Sequence, residues 1–210
     1  MAELMPSISR REEYAEATRQ AIVAAARELF RKQGFFSTKV DEIAARARVS
    51  PATVYAVSGG KHGLLRAVID SAGCDEAAVA AVSHIQTIDD PAALLRFIAS
   101  AVRRMREDFG DTLRLMLSTA PHDKAAAEMQ NAVTARYRGV LASVGKRLAE
   151  IGALRQEQDA DHALDVLWFY FGYSGLFTLH DDNGWSYARA EEWLCQEAIR
   201  ALLRPQCEQS

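Results

Sequence analysis

Helix breakers and crosslinking residues are scarce in this chain. Five prolines and twelve glycines in 210 residues leave long stretches with nothing to interrupt a helix. That composition excludes collagen-like and low-complexity chains. The three cysteines, Cys74, Cys195 and Cys207, are far apart, odd in number and form no C-x-x-C pair. A disulfide scaffold is therefore excluded, and free thiols in a reducing compartment are expected. No apolar run is longer than that at 166–171, which falls well short of the ~20 residues that a membrane helix needs. The N-terminus carries Glu3, Glu12, Glu13 and Glu16 and no continuous apolar core, which argues against a signal peptide. A soluble, cytoplasmic protein with no membrane partner is expected. G-x-S-x-G, Walker A and H-E-x-x-H are all missing, so neither catalysis nor a cofactor is indicated. Long alternating strand-like runs are missing as well.

What remains is rich in alanine and 49% hydrophobic, which points to an all-α chain. Its net charge of −3 conceals an asymmetry. Residues 1–70 hold 11 Lys+Arg against 8 Asp+Glu, a balance of +3, and the remainder holds 14 against 20, a balance of −6. A basic head on an acidic body suits a chain that brings one end to nucleic acid, because phosphates dominate such affinity. A difference this small also arises by chance and cannot carry the assignment alone.

The most structured signal is TKVDEIAARARVSPATVYAVSGGK, residues 38–61. It reads as two short helices around a tight turn. Thr38 with Asp41 three residues on resembles a capping box, and Ser50-Pro51 supplies a capping hydroxyl followed by proline at the first helical position. Ile43, Ala44, Ala47 and Val49 form the apolar side of the first helix. In the second, Val54 and Val57 at a spacing of three are expected to face inward, leaving Ala52, Thr53 and Tyr55 outward. A small, nearly uncharged helix bearing hydroxyls can approach base edges closely while a neighbouring lysine meets phosphate. The plain alternative is an ordinary pair of packed helices.

The block 18–70 resembles the DNA-binding domain of the TetR family of bacterial regulators. The matching residues are TRQAIVAAARELFRKQGF, then T-x-V-x-x-IA-x-x-A-x-VS, then TVY, then K-x-x-LL-x-AVI, together about a quarter of the chain. The resemblance implies an all-helical homodimer with an N-terminal three-helix reader of double-stranded DNA. It also implies a C-terminal domain that binds a small molecule and dimerises. The implied DNA contacts are Thr38, Lys39, Ser50, Pro51, Ala52, Thr53, Tyr55 and Lys61. Thr53 and Ala52 would lie near bases, and Thr38, Lys39, Ser50, Tyr55 and Lys61 would hold phosphates. Ala56-Val57-Ser58 departs from the family, which usually carries an aromatic there.

On this reading the chain divides into a flexible arm at 1–17, the reader at 18–70, a ligand-binding and dimerisation domain at 71–204, and a tail at 205–210. Arg10 and Arg11 on the arm could reach a minor groove or phosphates, although an unpatterned tail is the commoner case. Helices are expected over 18–32, 61–84, 91–108, 111–119, 123–151, 159–180 and 187–203, with Asp89 capping the one that Pro91 opens. The cluster Arg103-Arg104-x-Arg106 reads as a solvated face. In the family the later helices enclose a ligand, which makes Met105, Phe109, Leu113, Met116, Leu117, Met129, Val133, Tyr137 and Trp168 candidate lining residues. For each of them ordinary core packing is the commoner role. These side chains suggest a partly apolar effector, and the acidic body suggests that cations are tolerated. Residues 159–180 are hydrophobic almost all round and need covering on most sides. A homodimer interface using Phe169, Tyr173, Phe177, Trp193 and Leu202 is the simplest account. Asp161, His162, Asp165 and the trio 180–182 suit caps and solvated faces better than a metal site. A helical small-molecule binder or enzyme with a vestigial reader is the competing function, and its DNA binding would be absent or independent of salt.

Overall fold

The computed structural model describes residues 10–71 and 74–205, with 74–78 described by backbone only. Among the described residues ten α-helices run in order: α1 Arg10–Ser37, α2 Val40–Ala47, α3 Pro51–Ser58, α4 Lys61–Asp70, α5 Cys74–Ile85, α6 Pro91–Thr119, α7 Lys124–Glu150, α8 Ala160–Phe171, α9 Tyr173–Phe177 and α10 Tyr187–Leu202. Among the described residues the only extended pairing is one isolated antiparallel bridge between Leu154 and Leu203. The expected all-α class is observed. No helix among the described residues is long and apolar enough to cross a membrane.

The chain divides into two compact units. One comprises Met1–Ala72 with Asp111–Gln130, and the other Gly73–Gly110 with Asn131–Ser210. The expected boundary near residue 70 therefore describes only part of the division. Asp111–Gln130 belongs with the N-terminal helices because ion pairs fasten it there. Arg27 on α1 donates to both carboxylate oxygens of Asp111 at 2.6 and 3.1 Å. His62 on α4 meets Asp123 at 2.8 Å, and Asp123 also accepts from the Ala126 amide at the start of α7.

In the first unit the core is built from Ile22, Ala26 and Phe30 of α1, Ile43 and Ala44 of α2, Val54 of α3, and Leu64, Leu65 and Val68 of α4, each all but inaccessible. Residues 10–17 are helical, so the segment expected to be flexible up to residue 17 extends α1 instead. Residues 1–9 of the expected arm lie outside the described residues. At Gly34, φ is 79° and ψ 165°, which ends the straight part of α1 where glycine alone is unstrained. Phe35 then folds back onto Phe30, with ring centroids 5.4 Å apart.

The second unit centres on the inner faces of α6, α7, α8 and α10. Leu94, Leu95, Ile98, Leu141, Val144, Leu148, Ala163, Leu167, Ala198 and Leu202 are buried together there. Four expected boundaries change. Residues 61–84 form two helices, α4 and α5, and not one. The two helices expected around Gly110 form one helix, α6, with the break reduced to a non-helical Phe109 at φ −131°, ψ 15°. Asp90, and not Asp89, caps α6, accepting from the Ala92 amide at 2.9 Å. Residues 159–180 are also interrupted: α8 stops at Phe171, and Gly172 separates it from α9. A Cβ on Gly172 would lie 2.3 Å from the Trp168 carbonyl oxygen and 3.2 Å from the Trp168 ring. Only glycine fits this turn as it stands.

Candidate nucleic-acid interface and buried aromatic cluster

Helices α2 and α3 are defined by their caps. The α2 start lies one residue later than the Thr38–Asp41 pairing suggests: Lys39 precedes the first turn, and its amide donates to the Glu42 carboxylate at 3.0 Å. Glu42, not Asp41, is the residue three positions after that cap. Thr38 is only 2% exposed, and its hydroxyl donates to the Gly34 carbonyl at 2.7 Å. Its expected role as a phosphate contact is corrected accordingly: this side chain fastens the end of α1. Arg48, in the left-handed region at φ 58°, stops α2. Ser50 then opens α3, its hydroxyl accepting from the Thr53 amide at 3.1 Å and meeting the Thr53 hydroxyl at 2.8 Å.

The inward face of α3 differs from the expected one. Val54 is fully buried, but Val57 is 39% exposed. Ser58 takes the inner position in its place, its hydroxyl donating to the Val54 carbonyl at 2.7 Å. An eight-residue helix has room for one i, i+4 pair against the core, and here that pair is Val54–Ser58. Outward lie Pro51, Ala52, Tyr55, Ala56 and Val57, with Thr53 half-exposed. The unusual 56–58 segment thus splits between an exposed Ala-Val edge and an inner serine. Gly59 ends α3 at φ 70°, and the Tyr55 ring lies over Gly60, where an added Cβ would meet it at 3.3 Å. Lys39 is exposed. Lys61 is partly held: its ammonium donates to the Phe36 carbonyl at 3.0 Å and lies 4.6 Å from the Phe35 ring centre. Desolvation moves its pKa below the usual lysine value.

The candidate ligand-lining residues are divided by the fold. Leu113, Met116, Leu117 and Met129 lie in the unit of α1–α4, and Leu113, Met116 and Met129 are buried there. Met105, Phe109, Val133, Tyr137 and Trp168 lie in the second unit. There Tyr137, Trp168 and Tyr173 form an edge-to-face cluster, with centroid separations of 5.6, 6.0 and 5.4 Å. Its centre is a residue that the sequence reading put on a solvated face. Arg106 is 1% exposed. Arg104 is exposed and reaches Ser100 at 2.8 Å. Arg103 meets the carboxylates of Glu107 and Glu191 at 3.4 and 2.6 Å. Arg106 turns inward because it continues the buried stripe Leu95, Ile98, Val102 at helical spacing. That periodicity was the available signal for it.

Around Arg106 the α8–α9 break supplies acceptors. The Gly172 carbonyl accepts from Nη2 at 3.0 Å, and the Phe171 carbonyl accepts a short bond from the Tyr137 hydroxyl. Burial raises the Tyr137 pKa, and the neighbouring Arg106 cation opposes that rise.

The expected dimer residues fall into three groups. Phe169 is 76% and Trp193 41% exposed. Tyr173 and Phe177 have their rings against the Arg106 guanidinium, at 5.9 and 5.3 Å. Leu202 is fully buried in its own unit's core and cannot reach a partner, a correction to its expected role. Phe169 and Trp193 border a groove of about 650 Å³ that Tyr170, Ser174 and Thr178 also line. Of the polar residues near α8, Asp165 meets Arg138 at 3.3 Å. The His180 ring bonds the Trp185 carbonyl at 2.7 Å and stacks on Tyr187 at 3.8 Å.

Comparison with known proteins bears on both regions. Residues 22–68 match the family described as bacterial regulatory proteins, tetR family. A protein of Bacillus subtilis (strain 168), named as the uncharacterized HTH-type transcriptional regulator YdeS, is 29% identical over 177 residues, 83% of this chain and 85% of its own length. NalD of Pseudomonas aeruginosa, described as the secondary repressor of the MexAB-OprM multidrug efflux pump, superposes with a TM-score of 0.74 at 23% identity, covering 92% of this chain and 99% of NalD. A protein from Saccharomonospora viridis, described as a transcriptional regulator in complex with choline, superposes with a TM-score of 0.73 at 18% identity, covering 90% and 99%.

Proposed function

Because this chain belongs to the tetR family of bacterial regulatory proteins through residues 22–68, we propose that it is a cytoplasmic, ligand-responsive DNA-binding regulator, acting as a dimeric repressor. The observation that carries this reading is the outer face of α3. Pro51, Ala52, Tyr55, Ala56 and Val57 stand clear of the core on a helix that Ser50 caps. Short side chains let such a helix approach base edges. Ala52 and Thr53 serve the bases. Lys39, Tyr55 and Lys61 serve phosphates, and Lys61 opens α4, whose cap residue Gly60 brings no side-chain acceptor. Ser50 and Pro51 set the helix start. Two copies joined along the α8 and α10 groove, with Phe169 and Trp193 covered, would present two such helices to successive major grooves of a palindromic site. A small, partly apolar molecule in the second unit would release DNA by preferring the released arrangement. That NalD is described as a repressor, and that the S. viridis protein was solved with choline, support this reading.

The test is binding of the purified protein to duplex DNA from its own upstream region at two salt concentrations. Saturable, site-selective binding that weakens by about a thousand-fold or more between ~50 and ~200 mM salt is expected if some six phosphates are contacted. Weak binding, equal on every duplex and insensitive to salt, would overturn it.

A further inference from the structure

We propose that Arg106 is a receptor for the carboxylate of a small effector whose body is apolar or aromatic. This rests on the ligand-responsive reading above and gives the effector a chemical class. The guanidinium is 1% exposed and lies 5.7 Å from the Tyr137 ring centre, 5.9 Å from Tyr173 and 5.3 Å from Phe177. Ring faces partly compensate a buried cation. They do not satisfy its N–H groups. Nη2 donates to the Gly172 carbonyl, while Nε and Nη1 are buried without an aligned acceptor, the Tyr137 hydroxyl being their polar neighbour. The Tyr137 hydroxyl donates to the Phe171 carbonyl and keeps its oxygen as an acceptor beside Arg106, while the Tyr173 hydroxyl pairs with that of Thr134. Three residues earlier on α6, Arg103 faces two carboxylates; among the described residues Arg106 faces none.

A buried ion without a counter-charge is costly, and leaving its donors unmet adds to the cost. Holding up the Gly172 carbonyl would need a single neutral N–H. Arginine supplies that bond together with a fixed charge and a spare planar fork. Such a fork matches a carboxylate in two parallel bonds. One cation in an aromatic enclosure suits a monoanion with an apolar body. It suits neither a phosphate dianion, which would need further donors, nor a cation, which Arg106 would repel.

The experiment uses the full-length protein and two readouts, thermal unfolding and Trp168-dependent fluorescence. The probes are benzoate, phenylacetate and octanoate, their neutral amides, and choline. The carboxylates are expected to raise the melting temperature by about 5 °C at concentrations roughly a hundred-fold above Kd, whereas the amides and choline leave it unchanged. Arg106→Met and Arg106→Gln remove the carboxylate response. Without probe, Arg106→Met melts at or above the wild-type temperature, because an uncompensated charge has gone. Arg106→Gln can keep the bond to Gly172, so a purely structural arginine would leave Gln near wild type and Met several degrees lower. That pattern overturns the proposal. So does equal protection by amides or choline, protection of the variants, or no protection of the wild type by any carboxylate. The regulator reading is scored separately, from wild-type DNA binding at two salts, which does not depend on these probes.

Discussion

Helices α3 and α8 begin in the same way and put their side chains to opposite uses. Ser50 caps one and Asp159 the other, each accepting a backbone N–H three residues on. Neither helix carries charge in its last turn. Yet α3 buries only Val54 and leaves most of its surface free. By contrast α8 buries Ala163, Leu167 and Phe171 and stops at a glycine that nothing larger can replace. The caps are local and fix where each helix starts. Which face turns inward is decided by what the neighbouring helices present. A surface kept free of its own core is available to a partner, and a helix wrapped in aromatic rings can enclose a charge.

Substitutions that strike at this contrast should differ widely in size. Gly172→Ala should be the most damaging, since its Cβ would press on the Trp168 backbone and ring at once. A loss of about 3 kcal/mol is expected, seen as a fall in melting temperature of about 6–12 °C. If Gly172→Ala behaves like Gly59→Ala, where the Cβ would meet nothing and only the positive φ resists, the close approach at the α8–α9 break is wrong. Gly59→Ala itself should cost about 1 kcal/mol.

The two caps sharpen the comparison. Ser50→Ala and Asp159→Ala should each cost about 1 kcal/mol by urea unfolding. Only Ser50→Ala should also weaken operator binding, because it loosens the start of the reader helix. Equal effects of both on DNA affinity would detach the cap from the reader's function. The smallest change in stability is expected for Tyr55→Ala, within about 0.5 kcal/mol, since the ring is 55% exposed. Its DNA affinity should still fall about ten-fold or more. Unchanged affinity would remove Tyr55 from the interface.

Acid provides one more test, confined to the first unit. Burial raises the Asp111 pKa, but the Arg27 bonds outweigh it and hold the carboxyl below its usual value. Asp123 is likewise held low, first by His62 and then by the α7 amides. A carboxylate with a depressed folded pKa gives stability that is complete above its unfolded pKa of about 4 and fades as the pH falls through the folded value. Melting temperature should therefore drop steeply below about pH 4, and Asp111→Asn with Asp123→Asn should flatten that drop while lowering stability at neutral pH. An unaltered acid profile would show that these pairs do not fasten 111–130 to the N-terminal helices.

Much of the fold and part of the site were legible in the linear chain. Ser50-Pro51 marks the start of α3 because capping depends on one or two residues. Of the outward set Ala52, Thr53 and Tyr55, the first and last are exposed and Thr53 half-exposed, while Val57 faces out instead of in, because a helix of two turns presents too few apolar residues for periodicity to choose a face. Thr38 was misread for a related reason: a threonine before a helix can cap forward or bond backward, and Gly34's carbonyl, left free at the end of α1, takes its hydroxyl.

By itself, then, the sequence determined an all-helical chain, the position of its reader and the family that reader resembles, since caps, breakers and repeat spacing act over a few residues. Long-range packing, by contrast, puts 111–130 in the N-terminal unit, Leu202 in the core with Phe169 and Trp193 at the surface, and Arg106 among aromatic rings. Those outcomes depend on groups far apart in sequence meeting in space, 84 residues apart for Arg27 and Asp111 and 66 for Arg106 and the Gly172 carbonyl. No local spacing rule carries that information.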